Sequence, residues 1–96
     1  MDLEKNYDLS FLVNDSERMV LDELGRRLDD AEGICVCQDC VVDMVTLALN
    51  SLEPRYHASL MGTMYAHAAE EGAYAERVRE AVTTAMSKVR DNPSHQ

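Results

Sequence analysis

Apolar residues recur at three- and four-residue steps through Leu21, Leu24 and Leu28, with Val20 beside them, the spacing that lines one face of a helix. Asp15 or Ser16 stands in front of this stripe, where a side-chain oxygen can accept a free amide of the first turn, and Glu17 suits the positive helix end. A first clear helix is therefore predicted from this point, stopped by Gly33. A second block, Val41, Val42, Met44, Val45, Leu47, Ala48, Leu49 and Leu52, is apolar almost all round the helix that it predicts. That helix should begin near Gln38 or Asp39, run to about Leu52 and end before Pro54, because a proline pushes its predecessor out of the helical region. Its one polar stripe is Asp43, Thr46 and Asn50, spaced to stack on a single face.

After Pro54 the stretch PRYHASLMG predicts an extended connection with room for a short strand, closed by Gly62. From Thr63 onward the chain is rich in helix formers, and Val78, Val82, Ala85 and Val89 keep a helical stripe. Gly72 interrupts it, predicting a kink there or a helix start near Ala73. The chain thus reads as one small, all-α, mainly helical domain over residues 1–96, with segments 1–14 and 92–96 less ordered and no internal repeat. So few helices leave the second one incompletely covered, and a homodimer that packs the second or the last helix against its two-fold mate would cover it.

Charge narrows the partners. Nine Lys and Arg against eighteen Asp and Glu give a net charge of −9, which argues against direct DNA binding and against attraction to an anionic membrane. No basic segment followed by an apolar one opens the chain, and no apolar run is long enough to insert in a membrane, so a cytoplasmic protein is expected.

Cys35, Cys37 and Cys40 are the only cysteines, crowded into GICVCQDC. In a reducing compartment an odd, closely spaced set points to metal or redox chemistry more than to a disulfide framework. Zinc favours tetrahedral thiolate sites with two ligands on a tight turn and others near a helix start, which C-x-C-x-x-C can supply. A nearby helix N-terminus also lowers thiol pKa values. A fourth ligand would be His57, His67, Asp39, Asp43, a group from a second subunit, or water. Two other readings stand beside this one: buried apolar thiols, and a redox C-x-x-C that here lacks the βαβ context of its usual setting.

The string CVCQDCVVDMVTLALNSLEPRY resembles the core signature of the ComFB family of late-competence-development-type proteins. The residues that carry it are Cys35, Cys37, Cys40, Asp43, Ala48, Leu49, Asn50, Leu52, Pro54, Arg55 and Tyr56, about a quarter of the chain. The resemblance implies a small helical, dimeric, cytoplasmic protein without enzymatic activity, with zinc on the cysteine cluster in some members. It also implies a receptor for cyclic dinucleotides such as cyclic di-GMP that acts through a protein partner. A four-cysteine site is not matched, since no fourth cysteine follows.

Such a ligand presents two phosphates and two purine faces, so its receptor needs arginine for phosphate, groups for the guanine edge and a surface for stacking. Asp43, Asn50, Arg55 and Tyr56 are the candidate ligand-binding set, with Arg77, Arg79, Lys88 and Arg90 as reserve phosphate contacts. The same residues also suit plainer work: Asp43 on the helix dipole, Asn50 as a cap, Arg55 paired with Glu53, and Tyr56 as core. No Ser/His/Asp arrangement, glycine-rich phosphate loop or recognisable carboxylate pair points to an enzyme. Only a three-thiolate zinc with water in its fourth position has the geometry of a catalytic centre.

Overall fold

The computed structural model describes residues 1–58 and 72–93. Four helices occur among them: α1 (Leu3–Asn6), α2 (Asp15–Asp30), α3 (Gln38–Asn50) and α4 (Ala73–Asp91). Two short strands, β1 (Val13–Asn14) and β2 (Tyr56–His57), pair antiparallel with Val13 opposite His57 and Asn14 opposite Tyr56. The architecture is mainly helical, as the periodicity predicts, and the expected extended segment after Pro54 is β2. Within segment 1–14, Asp2 caps α1 by accepting the Lys5 amide at 3.3 Å, and β1 enters the sheet.

Three long helices pack pairwise, α3 most extensively against α4. The buried stripe of α4, Tyr74, Val78, Ala81, Val82, Ala85 and Val89, meets Met19, Val20 and Leu24 of α2 and Cys40, Met44 and Ala48 of α3. Every second-half stripe residue predicted for α4 is therefore in the core. For α2 the expectation needs one correction: Leu21 is 48% exposed, because the inward face is set by Met19, Val20, Glu23 and Leu24. Leu21 instead lines a shallow groove with Leu12 and Val13. In α3 only Cys40, Met44 and Ala48 are fully buried; Val41, Val45, Leu47, Leu49 and Leu52 pack half-buried around them, and Val42 is exposed.

The helix ends correct the predicted boundaries. The cap of α2 is Asn14, whose side chain accepts the Ser16 amide at 3.2 Å; Asp15 and Ser16 are already helical and buried. Asn14 takes that place because its Oδ1 also accepts the Arg55 amide at 2.8 Å, tying β2 to the start of α2. The helix finishes at Asp30 and not at Gly33, Ala31 being extended; two aspartates in the last turn oppose the negative helix end. α3 stops at Asn50, where the Ser51 hydroxyl donates to the Ala48 carbonyl at 2.9 Å. Gly72 is a start and not a kink: its φ of 92° and ψ of −147° are non-helical and suit glycine alone. Gly62, His67 and the predicted helical residues before Gly72 lie outside the described residues.

Candidate functional site

Two groups of chemistry-bearing side chains emerge, one before α3 and one after it. At the first, Cys37 is the N-cap of α3 and its sulfur accepts the Cys40 amide at 3.4 Å. That turn carries Cys35 with it, and the three sulfurs lie within 4.8 Å of one another. Three thiolates around one zinc at about 2.3 Å would stand roughly 3.8 Å apart, so the sulfurs are close to the separation a shared ion requires. Cys40 is fully buried against the core and Cys35 and Cys37 are half-buried, so one side of the triad is apolar and the other open.

The Cys37 amide donates to the Cys35 sulfur and by itself lowers the Cys35 pKa. Hydrogen bonding with the Cys37 and Cys40 thiols, desolvation and repulsion from Cys37 outweigh it, and the Cys35 thiol is held above its ordinary value. A thiol held up in this way keeps its proton until a cation replaces it. The donor set therefore fits a thiophilic metal ion. Among the described residues no fourth acidic or histidine ligand joins the group. His57 is elsewhere, its Nε2 3.9 Å from Asp15 Oδ1.

The second group surrounds Tyr74, in the first turn of α4 and 4% exposed. Its hydroxyl donates to the Glu53 carbonyl at 2.8 Å and touches the Ser16 hydroxyl, which donates to the same carbonyl at 2.7 Å. On its ring rests the Arg55 guanidinium, 3.7 Å from the centroid, while the Arg77 guanidinium stands 5.2 Å from it. Arg77 also pairs with the Glu53 carboxylate at 3.4 Å. The Asp15 amide donates to the Arg55 carbonyl at 2.7 Å, and Arg18 Nε donates to Asp15 Oδ1 at 2.9 Å. Arg55 is thus fixed by its own amide, its carbonyl and its guanidinium face, with Nε buried and without a hydrogen-bond partner among the described residues.

Of the predicted ligand-binding set, Arg55 is half-buried on Tyr74, while the adjacent Tyr56 is 63% exposed. Asp43 and Asn50 are on α3, half-buried and exposed respectively, and the Thr46 hydroxyl between them donates to the Val42 carbonyl of its own helix. Of the reserve arginines, Arg77 joins the Tyr74 group, Arg79 pairs with Glu76, and Arg90 pairs with Asp91 near the other end of α4. The sequence reading missed Tyr74, Ser16 and Asn14. Tyr74 had a usable signal, since it stands four residues ahead of Val78 and extends the α4 stripe by one turn. Ser16 and Asn14 had none beyond capping.

Among the described residues, three packed long helices with a thiol triad at the start of α3 define a small helical protein whose thiols are placed to hold a metal ion. The sequence model of the family described as late competence development protein ComFB matches residues 13–93, and the chain belongs to that family. Among solved structures it is similar to the late competence protein ComFB from Bacillus subtilis, with 26% identity and a TM-score of 0.68 over 86% of this chain and 94% of that one. No curated protein matches it. Among the described residues no helix is long and apolar enough to cross a membrane.

Proposed function

We propose that this ComFB-family protein is a non-enzymatic cytoplasmic receptor for a cyclic dinucleotide, cyclic di-GMP first, which acts as a homodimer and passes ligand occupancy to a protein partner. The observation that carries the reading is the Arg55 guanidinium lying 3.7 Å over the Tyr74 ring, beside an exposed Tyr56. A guanidinium whose face is already stacked keeps its N–H edge for a bidentate grip on phosphate, and an exposed aromatic offers a base a stacking surface. Asp43 and Asn50 supply acceptor and amide groups for a guanine edge. The half-buried apolar residues of α3 supply the face on which a second copy packs. Zinc on Cys35, Cys37 and Cys40 fixes the turn that starts α3.

Thermal melting with a panel of cyclic and linear nucleotides tests the reading. A cyclic dinucleotide that binds only the folded state raises Tm by mass action, and Arg55→Ala abolishes that rise while the protein still folds. No shift with any nucleotide overturns it. The proximity of the three sulfurs then favours the second reading, a zinc-stabilised dimeric scaffold for protein interaction, for which stoichiometric zinc in protein purified without chelator is the expected finding.

A further inference from the structure

Glu53 is held twice. Its carbonyl accepts the buried hydroxyls of Ser16 and Tyr74, and its carboxylate reaches 3.4 Å to Arg77 across a largely exposed gap, with the two side chains 67% and 49% accessible. The main-chain clamp fixes where this carboxylate starts from, so the acid stands beside Arg77 by construction. A solvated pair of this kind is weak and exchanges readily for a better anion. Arg77 and Arg55 approach the same Tyr74 ring, so their guanidinium carbons are separated by no more than the sum of 3.7 Å and 5.2 Å. Two guanidiniums around one rigid ring, in a chain of net charge −9, concentrate positive charge at one place.

We infer that Arg77 is the second phosphate-binding residue of the site, gripping one phosphodiester of the ligand while Arg55 grips the other, and that Glu53 is the counter-ion which the phosphate displaces. This inference rests on the cyclic-dinucleotide reading of Arg55 given above. A phosphodiester oxygen offers Arg77 the same acceptor chemistry as the Glu53 carboxylate, so binding keeps Arg77 paired and releases the already largely exposed carboxylate to solvent. Glu53 therefore lowers affinity for any anion at Arg77, and a ligand that engages Arg55 and Arg77 together outcompetes it best.

Calorimetric titration of cyclic di-GMP at low ionic strength into wild-type protein, Arg55→Ala, Arg77→Ala, Glu53→Gln and Arg26→Ala tests this. Arg26→Ala removes the same charge from a largely exposed side chain of α2 that pairs with Glu23. The expected result is binding to wild type, none detectable to Arg55→Ala, about tenfold weaker binding to Arg77→Ala and about threefold tighter binding to Glu53→Gln, with Arg26→Ala unchanged. Arg77 and Glu53 are both exposed, so unchanged melting of the unliganded variants shows that folding is not the cause. Wild-type affinity in Arg77→Ala and Glu53→Gln, with Arg55→Ala still defective, overturns the role of Arg77 and leaves the receptor reading standing. No binding to wild type removes the receptor reading and this inference with it.

Discussion

The hydroxyls of Ser16 and Tyr74 share one acceptor, and that arrangement makes a quantitative claim about stability. Two hydroxyl protons serve three close contacts: Ser16 to the Glu53 carbonyl at 2.7 Å, Tyr74 to the same carbonyl at 2.8 Å, and the hydroxyls to each other. At most two of the three are hydrogen bonds at any moment. In Tyr74→Phe the Ser16 hydroxyl still serves the carbonyl and the ring still carries Arg55, so the loss is one neutral hydrogen bond, about 1 kcal/mol. Ser16→Ala loses about the same, since Tyr74 keeps the carbonyl satisfied. The double variant leaves that carbonyl facing two apolar groups, adding a desolvation cost of about 1–3 kcal/mol, for a total of about 3–5 kcal/mol. Equilibrium urea unfolding of the four proteins closes the cycle, with m unchanged as the check that the unfolded states are comparable. In thermal terms each single variant lowers Tm by about 4–8 °C in a domain of this size. Additivity of the two single effects to within about 0.5 kcal/mol would refute the shared-acceptor account, because sites that do not share a partner add to that tolerance.

Other expectations follow from single positions. Gly25→Ala, inside α2 with open space around the added methyl, stabilises by about 1 kcal/mol, whereas Gly72→Ala, at φ 92° and equally open, destabilises by about 1–3 kcal/mol through backbone strain alone; the two melting shifts should have opposite signs. Met44→Ala removes a side chain with no exposed surface and costs about 2–5 kcal/mol by chemical denaturation. At the triad, Cys35→Ser lowers the metal content of the purified protein with little effect on the metal-free fold, while Cys40→Ser also destabilises that fold because it puts a hydroxyl in the core. Since the Cys35 pKa is raised, the metal-free thiol stays protonated up to a higher pH than an ordinary one, so metal uptake releases protons and apparent affinity rises with pH; titrations in buffers of different ionisation enthalpy measure that release.

How far the sequence carried the reading depends on how far apart the interacting residues lie along the chain. The α4 stripe, the glycine that starts it and the turn-forming thiols are all settled within a few residues, and spacing alone identifies them. Asn14 caps α2 one or two positions ahead of the local candidates Asp15 and Ser16 because its Oδ1 also accepts the Arg55 amide, 41 residues away, which no window on residues 10 to 20 contains. Leu21 faces outward for a related reason. A Val-Leu pair leaves the phase of the stripe open by one position, and the contacts with α4 choose Val20. The Tyr74 group is the extreme case. Ser16, Glu53, Arg55, Tyr74 and Arg77 are an ordinary serine, acid, base, aromatic and base until the chain brings together residues 58 positions apart. Apolar periodicity reports which face is buried and is silent on which buried hydroxyl meets which carbonyl, so a polar network of this kind becomes visible only when the core that the periodicity predicts has been assembled around it.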